Sequence, residues 1–279
     1  MQIGIFAKTF VRPTLAQTLD AIVGHGLHVT QFNLACAGVP SLPAELDPAL
    51  LAQIGQEFAA RQLSMAAVSG TYNMIHPDPR QRREGLRRLE VLAVACRPLG
   101  TSIITLCTGT RDPDNMWRYH PDNATPAAWR DLLAALEAAI AIAEAHDVTL
   151  AFEPEPANVI DRASQGRRLL DELRSPRLKV VLDAANLFHP DDFPRMSQVL
   201  DEAFALLGPD IALAHCKDLS QEGRAGEVAA GRGYLDYDRY LAHLRAAGYG
   251  GPLILHGLAE SEVAGSVAFL QGKLALWRD

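Results

Sequence analysis

Two rhythms alternate along the chain. Short apolar runs are separated by longer stretches in which apolar positions return every three or four residues. The runs are IGIFA at 3–7, HVTQFNL at 28–34, LSMAAVS at 63–69, TSIITLC at 101–107, TLAFE at 149–153, LKVVLD at 178–183, IALAHCK at 211–217 and PLILH at 252–256. Runs this short, rich in β-branched residues and leucine, read as buried strands. The stretches between them read as amphipathic helices at 14–23, 48–62, 80–96, 129–145, 162–173, 193–207, 237–247 and 260–277. Local signals mark several ends. Thr14 and Gln17 fit a capping box, Pro48 suits a first helical turn, Pro98 with Gly100 closes the third helix, and Gly248 closes the seventh. The third helix is expected to bury Leu86, Leu89, Leu92 and Val94.

Strict strand–helix alternation through eight units predicts one α/β domain over 1–279, a single (β/α)8 TIM barrel. A doubly wound open sheet would want a glycine-rich phosphate turn after an early strand. IGIFAKTF carries none, and GRG at 231–233 does not supply one.

The ends of four runs stand out. LKVVLD stops at Asp183, TLAFE at Glu153, IALAH at His215 and PLILH at His256. One such aspartate reads as well as a turn cap. Four in succession, on strands whose ends share one rim of a barrel, point to a single site with Glu153, Asp183, His215 and His256 as metal ligands. Mixed oxygen and nitrogen donors suit a divalent cation: Mn, Co, Zn and Fe, and less well Mg, without distinguishing among them.

Composition narrows the function classes. Of 279 residues, 48% are hydrophobic and 21% charged, which supports a large core and argues against disorder. A net charge of -7 argues against a nucleic-acid surface. The four cysteines, Cys36, Cys96, Cys107 and Cys216, form no CxxC pair and read as small buried hydrophobes, with Cys216 turned away from the site by strand alternation. MQIGIFAKTF does not read as a signal peptide, and no run reaches the roughly 18 apolar residues of a membrane span. A cytoplasmic protein without a membrane partner is the expectation.

Five stretches carry a resemblance: FEPE at 152–155, VVLDAANLF at 180–188, HCKD at 215–218, GRGYLDY at 231–237 and the closing GYGGPLILHG. In this order they resemble the xylose isomerase-like TIM barrels, the group of sugar isomerases and epimerases that also holds hydroxypyruvate isomerases, inosose dehydratases and an AP endonuclease branch. The resemblance covers nearly the whole chain. It implies that the ends of strands five to eight supply Glu, Asp, His and Glu to one divalent metal. Glu153, Asp183 and His215 match the first three; the fourth position holds His256 instead of glutamate. In ketose 3-epimerases the two metal-bound glutamates form the acid/base pair, so this departure weighs against copying that mechanism onto the chain.

The chemistry expected is isomerisation or epimerisation of a sugar, a sugar phosphate or a small keto acid through an enediolate-like intermediate. Glu153 would act as base and His256 as a second acid/base. Lys217, two residues past His215, would bind an oxyanion or hydroxyl. Glu155 shares the strand period of Glu153 between Pro154 and Pro156 and is a substrate-side candidate. Asn186 and His189 follow Asp183 in a loop that the resemblance places near metal or substrate. Lys8, Asn33, Tyr72, Asn73 and His76 offer a polar wall from the first strand ends, and Arg111, Trp117 and Arg118 lie in the long polar loop after strand four. Of these, His76, Arg111 and Trp117 are the substrate-binding candidates, Arg111 for an anion and Trp117 for a sugar face. Asp218 reads as a loop cap or as a carboxylate that holds a ligating histidine, and Arg232, between glycines, as a further anion contact. An inosose or dehydroshikimate dehydratase-like lyase and a non-catalytic sugar-binding protein are the alternatives. The AP endonuclease activity fits poorly, because no second set of strand-end ligands is present. A homo-oligomer is compatible with the resemblance.

Overall fold

The computed structural model describes residues 1–223, 226 and 228–276. Eight parallel strands occur among them: β1 Ile3–Phe6, β2 Val29–Phe32, β3 Ser64–Ser69, β4 Ile103–Cys107, β5 Thr149–Glu153, β6 Leu178–Asp183, β7 Ile211–Cys216 and β8 Leu253–Leu255. Each pairs with the next, and β1 pairs with β8, closing the barrel. The helices that follow them are α1 Leu15–Gly24, α2 Pro48–Ala60, α3 Pro79–Leu99, α4 Pro126–Ala145, α5 Ala163–Leu173, α6 Met196–Leu207, α7 Tyr237–Ala246 and α8 Val263–Ala275. The expected (β/α)8 TIM barrel is therefore the fold.

Helix starts are chemically marked. Asp47, Asp78, Thr125 and Asp236 each accept a backbone N–H of the first turn with their side chain. Proline follows at once in α2, α3 and α4, where its missing N–H removes no helical bond. Four details depart from the sequence reading. Thr14 caps α1 by accepting from Gln17 N at 3.3 Å, but its hydroxyl turns to Gln17 Oε1 at 3.2 Å, so the reciprocal half of a capping box is not formed. Pro98 lies inside the last turn of α3, and Gly100, with φ 75°, ends the helix. Val94 is 55% exposed, because Leu89, Leu92, Ala93 and Cys96 follow the helical period and take the inner face. Helices α6 and α8 begin later than expected, since Pro190–Arg195 and Glu260–Glu262 form 3-10 turns first. Trp277, the expected end of the last helix, and Arg224, Ala225 and Glu227 of the loop after β7 lie outside the described residues.

Two apolar cores divide the molecule. The larger lies between sheet and helices. The smaller fills the barrel with Val29, Ala67, Ala151, Val181, Leu213 and Ile254, joined by Phe6 and Ile103. Gly4 belongs to this layer by necessity: a Cβ there would lie 2.7 Å from the Val29 carbonyl oxygen and 2.8 Å from Ile254 Cδ1. Strand side chains alternate, so the residues two further along also point inward, one layer nearer the C-terminal rim. These are Phe6, Gln31, Ser69, Thr105, Glu153, Asp183, His215 and His256. No helix among the described residues is long and apolar enough to cross a membrane.

Candidate metal centre

The upper inner layer places Asp183, His215 and His256 together. One donor atom from each lies within 4.8 Å of the others. Asp183 Oδ2, His215 Nδ1 and His256 Nδ1 are all buried without a hydrogen-bond partner. Buried polar atoms are nearly always satisfied, and here three unsatisfied atoms gather at one point. The donor set, one carboxylate and two imidazoles, fits a divalent cation. Asp183 serves two purposes. Its Oδ1 accepts from Ala185 N at 3.0 Å and caps the turn after β6, while Oδ2 is left for the cluster.

Each imidazole is held by a different force. His215 Nε2 lies 2.7 Å from Gln31 Oε1. His256, just past β8, stacks on His215 at 4.9 Å between ring centres and on Phe6 at 5.4 Å. Burial, helped by His215 and Lys217, pushes His256 down to about 3, so the ring is neutral at ordinary pH.

Glu153 stands beside the cluster, with Oε2 3.3 Å from His215 Nδ1. Its Oε1 accepts from Asn186 Nδ2 at 2.6 Å. Burial would raise this carboxyl, but His215 and Lys217 beside it outweigh the burial, and Glu153 is held below its ordinary value. Lys217 Nζ lies 3.3 Å from Asp183 Oδ2. Burial opposes its charge, yet Asp183, Glu153 and Glu155 together hold it above its ordinary value. Asp183 moves up, first through burial and then through the Glu153 charge, with Lys217 pulling against both. Burial and the charge of Glu153 push Glu155 well up; its Oε2 accepts from Asn158 Nδ2 at 2.8 Å.

Expected site residues therefore divide into two groups. Glu153, Asp183, Asn186, His215, Lys217 and His256 converge. Others are occupied elsewhere. His76 Nε2 lies 3.0 Å from the Pro113 carbonyl and its Nδ1 accepts from Asp78 N, so both ring nitrogens tie loop backbone. Arg111 donates to Asp131 at 2.6 Å and to the Ile75 carbonyl at 3.0 Å, strapping loops to α4. Arg118 is bonded to Asp112. His189 Nε2 lies 3.1 Å from the Asp161 carbonyl oxygen. Trp117 is 56% exposed. Asn33 caps the turn after β2, and Asn73 bonds the backbone of Thr110. Asp218 accepts from the backbone N–H of Leu219, Gly231 and Leu235 and so organises the loop after β7. Arg232 is exposed, Lys8 is exposed at the rim, and Cys216 is buried away from the cluster as alternation requires.

Several contributors were missed in the sequence. Gln31, Ser69 and Thr105 are buried on the wall opposite the cluster, and their signal was the two-residue step from inward apolar positions. Tyr240 donates its hydroxyl to the carbonyls of Leu182 at 3.1 Å and His215 at 2.9 Å, bracing β6 and β7 from outside the barrel.

A family model described as xylose isomerase-like TIM barrel matches residues 19–272. No curated protein matches the sequence significantly. Among solved structures, the 3-keto-D-glucoside 4-epimerase YcjR from E. coli superposes with a TM-score of 0.72 at 17% identity, over 98% of this chain and 99% of that one. The IOLI protein with a bound zinc atom gives 0.72 at 17%, over 97% and 96%. The probable 3-DHS dehydratase AsbF from Bacillus anthracis gives 0.74 at 14%, over 97% and 99%. At such identities the likeness establishes the fold.

Proposed function

The chain belongs to the xylose isomerase-like TIM barrel family, and from that premise we propose that it is a divalent-metal-dependent isomerase or epimerase. Its substrate is a sugar, a sugar phosphate or a small keto acid. One observation carries the reading: three buried donor atoms on Asp183, His215 and His256, none with a hydrogen-bond partner, converge at the rim, with Glu153 and Lys217 as their charged neighbours. A cation held there supplies Lewis acidity at a substrate carbonyl and lowers the energy of negative charge on its oxygen. Two imidazoles favour Zn, Co, Fe or Mn over Mg.

The chain's own groups do the proton chemistry. Glu153, ionised and oriented by Asn186, removes the proton from the carbon next to the carbonyl. Lys217, kept protonated by the surrounding carboxylates, donates toward the oxygen on which charge collects. Glu153 then returns the proton to the adjacent carbon on the same face, while Lys217, having given its proton to the former carbonyl oxygen, takes the one the neighbouring hydroxyl loses, giving aldose–ketose isomerisation. Epimerisation needs a second carrier on the opposite face. His256 turns Nδ1 into the cluster and lies flat between Phe6 and His215, which suits a ligand better than that carrier. A dehydratase reading stands second, favoured by Lys217, a buried cation placed to protonate a leaving hydroxyl. It is also the reaction named for one neighbour in fold, the probable 3-DHS dehydratase.

The test is a panel of ketoses, their phosphates, inososes and keto acids in D2O, with the protein loaded in turn with Mn2+, Co2+, Zn2+ and Mg2+. Metal-dependent turnover with solvent deuterium at the carbon beside the carbonyl is expected, and product identity separates isomer, epimer and dehydrated compound. A protein that takes up none of these cations, or that binds sugars from the panel and turns none over, sinks the enzymatic reading.

A further inference from the structure

The proposed mechanism leaves one buried polar chain unused. Gln31 on β2 reaches across the barrel to His215 on β7, 184 residues away in sequence, with Oε1 2.7 Å from Nε2. Its own Nε2 lies 3.2 Å from Ser69 Oγ on β3 and 3.2 Å from Thr105 Oγ1 on β4. All three residues are 4% exposed. The chain thus runs through four strands and ends on one donor of the candidate metal centre.

A neutral imidazole carries one proton, and the nitrogen that carries it cannot bind a cation. Two arrangements satisfy the Gln31 amide. In one, its two N–H groups donate to the Ser69 and Thr105 hydroxyls, and Oε1 accepts from His215 Nε2–H. His215 Nδ1 is then a bare lone pair facing the cluster, although Glu153 Oε2, 3.3 Å away, competes with Gln31 for the ring proton. In the other the amide is turned over, the hydroxyls donate to it, and the amide donates to a bare Nε2. That places the His215 proton on Nδ1, where it blocks ligation.

We propose that Gln31, held by Ser69 and Thr105, is a positioning residue that fixes His215 as the Nε2–H tautomer and so presents Nδ1 for metal binding. This rests on reading Asp183, His215 and His256 as a cation site. The logic is that of a ligating histidine whose second nitrogen is anchored by an acceptor, which orients the ring and sets its tautomer.

Two measurements on the full chain separate this inference from the reading beneath it. The first is a long-range 1H–15N spectrum of the metal-free protein at a pH where His215 is neutral, with its signal assigned by the loss seen in His215→Gln. The Nε2–H tautomer is expected, and Gln31→Met should mix or reverse it. The second is Zn2+ titration against a chromophoric chelator. Gln31→Met should bind about 10–100-fold more weakly. Gln31→Glu, which keeps an acceptor but cannot be turned over into a donor, should bind at least as tightly as the wild type. Should Gln31→Met fold poorly, the Ser69→Ala/Thr105→Val pair removes the amide's anchors while leaving Gln31 in place, and should show part of both effects. An Nδ1–H tautomer in the wild type, or unchanged Zn2+ affinity in Gln31→Met, overturns the proposal. Absence of Zn2+ uptake by a wild type whose tautomer does depend on Gln31 removes the cation reading and leaves the positioning role standing.

Discussion

Strands β1–β4 and β5–β8 each send four side chains into the upper inner layer, but of different kinds. The first half presents Phe6, Gln31, Ser69 and Thr105; the second presents Glu153, Asp183, His215 and His256. The backbone geometry is the same, so the difference lies in side chains alone. Charge buried in a barrel must be compensated locally, and the second half does this within itself: Lys217 lies beside Asp183, and Glu153 accepts from Asn186. The first half adds no charge. Its amide and hydroxyls reach the other side only through Gln31 and His215. On the proposed function, one half does chemistry and the other orients it.

The largest effect expected from that division separates Glu153 from Thr105. Glu153→Gln keeps the shape but removes the base, and should lower kcat by about 10²–10⁴-fold, with Zn2+ affinity little changed. Thr105→Val leaves the base untouched and should lower kcat by no more than a few-fold, about 1 kcal/mol or less. Comparable losses in the two variants, measured with the substrate found in the panel, would break the comparison.

A second effect is expected in the pH dependence of stability without metal. His256 is held near 3, against an ordinary value of 6.5, by burial and by His215 and Lys217, with Lys8 adding to them and Glu153 opposing. Between those values the unfolded chain binds a proton that the folded chain refuses. Stability contributed here is therefore present above pH 6.5 and is lost as pH falls, by at most about 1.4 kcal/mol per pH unit. Denaturant unfolding of metal-free wild type and His256→Gln across pH 4–7 checks this. A curve no flatter in the variant rules out His256 as the source.

A smaller effect is expected from the brace behind the charged half. Tyr240→Phe removes the hydroxyl bonded to the Leu182 and His215 carbonyls, at a loss of about 1 kcal/mol. Because Leu182 precedes Asp183 and His215 is itself a member of the cluster, Zn2+ affinity should fall by less than about tenfold along with the melting temperature. A loss of stability with unchanged affinity would confine Tyr240 to the fold.

How far the two halves were legible in the sequence follows from their chemistry. An ionisable residue closing an apolar run is conspicuous, so Glu153, Asp183, His215 and His256 could be read directly, and the eight-unit alternation gave them a common rim. Thr105, Ser69 and Gln31 sit inside runs where such residues are ordinary. Only a correct assignment of inward faces, together with contacts spanning most of the chain, reveals them. Asp183 shows why the cap and ligand readings did not exclude each other: the two carboxylate oxygens do different things. His76 and Arg111 expose the opposite difficulty. A histidine or arginine in a polar loop looks available in sequence, but the loop backbone here consumes their donors and acceptors.

Arg111 gives the smallest expected change in activity and the sharpest check on the outer loops. Its guanidinium bonds Asp131, which Arg82 also bonds, and the Ile75 carbonyl, with a side chain 13% exposed. A group so occupied has little left for a substrate anion. Arg111→Met should therefore leave kcat/KM within about twofold, while the lost strap between the loops and α4 costs about 1 kcal/mol, or roughly 2–4 °C in melting temperature. The outcome against this is specific: a tenfold rise in KM for a phosphorylated or carboxylated substrate, with KM for a neutral sugar unchanged. It would mean that Arg111 leaves Asp131 to meet the substrate, and that the anion-binding part of the site belongs to the loop after β4, outside the barrel's two inner halves.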